Sequence, residues 1–271
     1  MKFQKEDCKL SNMNIIKAFI TWIVIAGMLL VNYLANALPL NGYTTGALSS
    51  LYPNLFVPDG FTFSIWGVIY LWFMVGAAFT TRLLLKPQSE NHYPWVHARL
   101  PLLWLTCVFN ALWIVAWHYL QTGISVVIML ALFTTLLLIF KQVHEGRNFF
   151  NPKENLLANV PLIIYFGWIT VATVANITTL LVFWGWRGWG VSPATWATVM
   201  MAVATAAGVF MALRYQRPAY TLVICWALWG IYRARKAENE VFLSEAALFL
   251  LAFGLVIAGF TLLKPTLKKA S

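Results

Sequence analysis

Residues 124–140 read Ile-Ser-Val-Val-Ile-Met-Leu-Ala-Leu-Phe-Thr-Thr-Leu-Leu-Leu-Ile-Phe, a run without a single charge. Crossing the hydrocarbon core of a bilayer takes about 20 predominantly apolar residues in a helix. This run meets that requirement, and it decides the fold class. It is preceded by a tight Gln121-Thr122-Gly123 turn and, before that, by a second apolar run from about Leu100 to Tyr119. Two such runs joined by a tight turn read as a transmembrane helical hairpin.

Working outward, the same pattern recurs. Further spans are expected at about Ile15–Leu34, Phe63–Leu84, Leu156–Phe183, Ala194–Leu213, Pro218–Tyr232 and Ala246–Leu263. The composition agrees: 61% of the 271 residues are hydrophobic and 10% are charged, against about 25% charged in soluble domains. The chain is therefore expected to be an all-α, polytopic integral membrane protein with eight spans. A rival reading of the N-terminus is a signal peptide cleaved near Ala35-Asn36-Ala37. The apolar run there is long for that purpose, so a retained first helix is expected.

The net charge of +10 is not a nucleic-acid signal, because the basic residues sit at the ends of apolar runs. With eight spans, only Arg187, Arg233, Arg235 and Lys236 fall on the outer side. The remaining 15 of the 19 Lys and Arg residues fall on the side of both termini. Positive charge collects on the cytoplasmic side, so both termini are expected to be cytoplasmic, in a plasma or inner membrane. The short 218–232 span is needed to keep Lys264, Lys268 and Lys269 on that side. The outer 38–61 segment, with Pro39, Gly42, Gly46, Pro53, Pro58 and Gly60, is long and apolar enough to pack over the bundle.

No acid, lysine or arginine falls at the middle of an expected span. Intramembrane charge marks ion paths and proton relays, so an ion-coupled pump is disfavoured. No carboxylate pair, buried base or nucleophile set is evident, and no catalytic residue is assigned. Cys8, Cys107 and Cys225 are too dispersed for a zinc site or a disulfide framework, and no cofactor is expected. His118 reads as an interfacial histidine at a helix end. Trp184, Trp186, Trp189 and Trp196 read as an interfacial aromatic belt, and Trp72, Trp104 and Trp117 as free to face lipid. Leu213-Arg214-Tyr215-Gln216-Arg217 fits a proposed cholesterol-contact pattern but reads first as a helix end.

Three polar-aromatic patches stand out. Trp66 and Tyr70 are four apart on the second span. Asn110 and Trp113 are three apart on the third. Trp168, Ala172 and Asn176 recur at four-residue intervals on the fifth. Each set shares a helix face. An amide in hydrocarbon needs a partner, so Asn110 and Asn176 are expected to point inward, to each other, to another helix or to a bound molecule.

These patches resemble the TspO/MBR family, the translocator or tryptophan-rich sensory proteins. Trp66-Gly67-Val68-Ile69-Tyr70 after Pro58 resembles its second-helix W-x-x-L-Y. Phe109-Asn110-Ala111-Leu112-Trp113 resembles L-N-x-x-W on the third helix. Trp168-Ile169-Thr170-Val171-Ala172-Thr173-Val174-Ala175-Asn176 resembles W-x-x-F-A-T-x-L-N on the fifth. There are departures: the paired prolines are reduced to Val57-Pro58, and Pro161 stands a turn before the place of the Pro-Tyr that precedes the fifth-helix tryptophan. The resemblance covers about residues 14–185 and implies a five-helix bundle over 1–185, leaving a three-helix extension over 186–271. It implies a lipophilic pocket beneath the first outer loop, lined by Trp66, Tyr70, Asn110, Trp113, Trp168, Ala172 and Asn176. The ligand class it implies is a lipophilic small molecule, such as a tetrapyrrole or porphyrin, bound for sensing or transport. Membrane lipid and a second copy of the chain are the other partners considered. Alternatives are a transporter of another solute, an enzyme acting on a bound lipophile, and an assembly factor.

Overall fold

The computed structural model of the protein describes residues 2–38, 40–87, 89–146 and 150–267, with side chains from Asn12 to Leu263 apart from Glu90. Pro39, Arg147, Lys268 and Lys269, which entered the loop and charge readings, lie outside these residues, as do the side chains of Cys8 and Lys264.

Every regular element among them is helical. In chain order they are α1 (Lys2–Ala37), the short α2 (Thr45–Ser49), α3 (Ile65–Leu84), α4 (Ser89–His92), α5 (Pro94–His118), α6 (Thr122–Glu145), α7 (Pro152–Glu154), α8 (Val160–Phe183), α9 (Pro193–Tyr215), α10 (Pro218–Ala237) and α11 (Val241–Leu267). Local chemistry sets their ends. Asp59 caps the 3₁₀ turn Gly60–Ser64 that leads into α3. Asn151 and Glu154 form a capping box at α7, and Ser192 caps α9. Each arrangement satisfies amide groups that a helix start leaves without partners.

Among the described residues seven helices are long and apolar enough to cross a membrane, with the fifth of these continuous over Pro152–Phe183. A π-helical turn at Asn155–Asn159 joins α7 to α8. Pro161 has no N–H to offer the Leu157 carbonyl. That carbonyl faces α3 at Gly76, where an added Cβ would lie 2.8 Å from it.

The expected seventh span is a 20-residue helix, α10, that is too polar to count among those seven. Its burial explains why this is tolerated. It packs against α8, α9 and α11, and half of its residues are buried, from Tyr220 to Arg235. A helix sheathed by other helices need not be greasy all round. It nevertheless runs from one end of the bundle to the other. At its start Arg217 Nη1 donates to Asn155 Oδ1 at 2.9 Å. Near its end Gly230 O accepts from the Asp59 amide at 3.2 Å, and Arg233 pairs with Asp59 at 3.3 Å.

Glycines on each neighbour admit α10 closely. An added Cβ would sit 3.2 Å from Tyr220 O at Gly167 of α8, 3.4 Å from Thr221 at Gly208 of α9, and 2.7 Å from the Cys225 sulfur at Gly254 of α11. Small residues at these contacts are the means by which membrane helices pack without a hydrophobic driving force.

Two readings need correction. The third span starts at Pro94, a favoured first helical residue, and not near Leu100. Arg99 therefore lies in the second turn of α5 and is only 1% exposed. Its Nη1 donates to Asn159 Oδ1 at 2.9 Å, and its guanidinium lies 4.7 Å from the Trp95 ring centroid. His118 does stand at the end of α5, but it is enclosed by the protein. It is fully buried, with Nδ1 at 2.8 Å from Ile114 O, beneath an outer segment whose Asn41 donates to the His118 carbonyl.

At Gly230 an added Cβ would overlap Thr62 Oγ1 and lie 2.9 Å from Pro58. Gly230→Ala is expected to lower the midpoint of thermal unfolding in detergent, in line with the ~1–3 kcal/mol cost of overpacking. Gly259→Ala, with nothing within 4 Å, is expected to leave it unchanged.

Candidate functional site

The 58–64 stretch is held at both ends before it delivers Trp66 to the bundle. Asp59 Oδ1 accepts from the Thr62 amide and hydroxyl. On the other side Trp226 Nε1 of α10 donates to Thr62 O at 2.9 Å. Phe61 lies against Trp226 and Trp229 at 5.9 and 6.0 Å. The last helices thus hold the outer segment in place.

Below it lies an aromatic cluster. Trp66 stacks on Tyr70 at 5.3 Å and lies 5.9 Å from Trp113, 5.9 Å from Tyr165 and 6.0 Å from Trp168. Phe63 meets Trp168 edge-on at 6.1 Å. Edge-to-face and offset contacts at these separations match the ring quadrupoles.

A polar knot lies deeper. Asn32 Nδ2 of α1 donates to Asn110 Oδ1 of α5 at 2.7 Å. Tyr70 of α3 donates its hydroxyl to Asn32 Oδ1 at 2.8 Å. Asn110 Nδ2 donates to the Tyr165 hydroxyl of α8 at 2.6 Å. Asn110 and Tyr165 are fully buried. Four helices thereby satisfy one another's polar groups where hydrocarbon offers no partner.

Two spaces border the cluster. A cavity of ≈ 40 Å³ is lined by Trp66, Trp113, Trp117, Trp168, Ala172 and Asn176 and lies beneath Val57 and Pro58. A cleft of ≈ 310 Å³ between α1 and α3 is lined by Asn32, Asn36, Phe63, Trp66, Gly67 and Tyr70. Thr45, Phe63 and Trp66 belong to both walls. Small-molecule pockets run to about 300–1,000 Å³. The cleft therefore has ligand dimensions, whereas the inner cavity falls well below that range.

Of the seven residues singled out in the sequence, Trp66, Trp113, Trp168, Ala172 and Asn176 meet at the inner cavity, and Tyr70 lines the cleft. Asn110 lines neither space and spends its amide on the knot. Asn110 and Asn176 do not pair with each other; Asn176 Oδ1 accepts from Ser125 Oγ of α6 at 2.7 Å. Trp117 does not face lipid. It is 7% exposed, stacks on Trp113 at 6.2 Å and donates to Thr45 O at 3.3 Å. Two indole donors in the cluster, Trp113 Nε1 and Trp168 Nε1, are buried with no hydrogen-bond partner among the described residues, as is Thr45 Oγ1.

A family model described as TSPO-like protein matches residues 18–260. The chain belongs to the TSPO-like protein family. No curated protein and no solved structure matches it. The match runs beyond residue 185, where the motif resemblance ends, and takes in α9, α10 and most of α11. This TSPO-like protein is a multi-pass integral membrane protein.

Sequence reasoning missed two members of the knot and the outer clamp. Asn32 carried a usable signal, as an amide within an apolar run. Tyr165, three residues before Trp168, shares its face of α8. Trp226 and Gly230 carried no local signal, because their partners lie more than 160 residues away in sequence.

Asn110→Ala is expected to destabilise the detergent-solubilised protein. A double-mutant cycle with Tyr165→Phe is expected to give a coupling of about 0.6–1.7 kcal/mol, the range found for interhelical hydrogen bonds in membranes. The check is the shift in the unfolding midpoint of each variant.

Proposed function

We propose that this TSPO-like protein binds a flat, lipophilic small molecule of the tetrapyrrole class at the Trp66–Trp113–Trp168 cluster, for sensing or for transfer within the membrane. One observation carries the reading. Three tryptophans from three helices converge on a shared cavity, and two of their indole N–H groups have no partner. A buried donor left unpaired costs about 1–3 kcal/mol, so a ligand bearing an acceptor oxygen is favoured over a pure hydrocarbon.

The ligand approaches from the bilayer through the α1–α3 cleft, which opens beside Trp66 and Tyr70. Their stacked rings offer an aromatic wall for a flat macrocycle. Movement of Phe63 and Trp66, which stand between the cleft and the inner cavity, joins the two spaces. Ala172 keeps the far wall low. The reading includes no catalysis: the site side chains are aromatic, amide, hydroxyl and small. Among the described residues no group of His, Cys, Asp and Glu is placed to hold a metal. Completing the topology, α10 crosses the membrane as an eighth span, and both termini are cytoplasmic.

Protoporphyrin titrated into the purified full chain is expected to quench tryptophan fluorescence saturably. Trp66→Ala with Trp168→Ala removes two aromatic contacts of about 0.5–1.5 kcal/mol each, which amounts to binding weaker by about 5- to 150-fold. Unchanged affinity in that double variant would place the ligand elsewhere. An octaalkylporphyrin, which has no acceptor oxygens, is expected to bind more weakly than protoporphyrin.

A further inference from the structure

We propose that the opposite face of α8 forms a second ligand site, and that it takes an acyl chain ending in an anionic group. A cavity of ≈ 370 Å³ lies between α8, α9, the 184–192 connection and residues 53–56. This volume is within the range of small-molecule pockets, and it is about nine times that of the space inside the aromatic cluster. The two spaces are distinct. Ala172, Ala175, Asn176 and Thr179 of α8 face the cluster, whereas Val174, Ile177, Thr178 and Leu181 face the second cavity.

The shape and lining select the ligand class. From Val174 to Val182 the cavity follows α8 for about 12 Å, at 1.5 Å per residue. Its walls there are mostly apolar, with Val174, Ile177 and Leu181 of α8 and Ala197 and Met200 of α9 beside the single hydroxyl of Thr178. At its outer end stand Trp186 and Trp196, 5.3 Å apart, where tryptophan marks the headgroup level. Arg187 lies at the same end, exposed, and none of the lining residues is acidic. No hydrogen bond or ion pair engages its guanidinium among the described residues. An elongated greasy slot with one unneutralised cation at its water end complements an acyl chain with a terminal carboxylate or phosphate.

The outer end has a built shape. Gly188 has φ +67 and Trp189 φ 52, so the chain turns sharply after Arg187. Trp196 Nε1 donates to Gly188 O at 3.0 Å. A side chain at Gly188 would lie 3.1 Å from that same nitrogen. The hydrogen bond therefore ties the Arg187 turn to the first turn of α9 and keeps the backbone that carries the cation at the mouth of the slot.

The test uses the purified full chain in a neutral detergent, with a dibrominated stearic acid as quencher of Trp186 and Trp196. The acid is expected to quench saturably and to bind up to about fivefold more tightly than its methyl ester, as one exposed charge pair allows. Arg187→Gln is expected to abolish that difference. Ala197→Phe and, separately, Thr178→Phe fill the slot from α9 and α8, so either one is expected to remove the saturable component. Trp66→Ala with Trp168→Ala is expected to leave it, which separates this site from the aromatic cluster. A parallel titration in vesicles with brominated-chain phosphatidylglycerol identifies the source of the ligand. Arg187-dependent quenching by the free acid alone assigns a fatty acid, and by the vesicle lipid assigns a bilayer phospholipid. Equal binding of acid and ester, or quenching unchanged in both filled variants, overturns the proposal.

Discussion

An amide buried in a membrane protein must find its hydrogen bonds inside the protein, and the arrangement around Asn110 follows from that constraint. Its amide oxygen accepts from Asn32 on α1 and its amide nitrogen donates to Tyr165 on α8, while Tyr70 on α3 joins through Asn32. The knot fixes the relative depth and rotation of four helices. Trp66 lies one turn from Tyr70, Trp113 one turn from Asn110 and Trp168 one turn from Tyr165. Setting the knot therefore sets the aromatic cluster above it. Asn110 acts here as a positioning residue, while the ring faces and the unpaired indole donors are the groups open to a ligand.

The helices after residue 185 are part of the same arrangement. Gly230 lets α10 touch Pro58 and Thr62, Trp226 ties the Thr62 carbonyl, and Arg233 meets Asp59. These contacts hold the stretch that leads into Trp66. The family match across residues 18–260 fits a chain in which α9 to α11 support the outer loop. Burial of α10 among three neighbours also explains how a helix carrying Thr221 and Arg235 fits within the bundle, while Arg233 stays exposed near the helix end.

Most of the architecture was legible because the bilayer imposes length and apolarity on every lipid-facing span. The runs at 124–140 and 156–183 could be read by that rule alone. The rule weakens where a helix is sheathed by protein, which is why residues 218–232 are less apolar than the other spans. It also failed for Arg99, since composition cannot reveal that an arginine at a span's edge will be covered by Trp95 and Asn159. At the site, the four-residue spacings correctly grouped Trp66 with Tyr70 and Trp168 with Ala172 and Asn176. Spacing within one helix says nothing about which other helix lies opposite. The pairing of Asn110 with Asn32 and Tyr165, and of Asn176 with Ser125, therefore required the fold.

The central claim is that the polar knot positions an aromatic site that opens to the bilayer between α1 and α3. A cryo-electron microscopy structure of the full chain with protoporphyrin tests it most directly. The macrocycle is expected in the α1–α3 cleft against Trp66 and Tyr70, with Asn32, Asn110 and Tyr165 still joined. A macrocycle bound away from those rings, or one that inserts only after the Asn32–Asn110–Tyr165 bonds have broken, would contradict it.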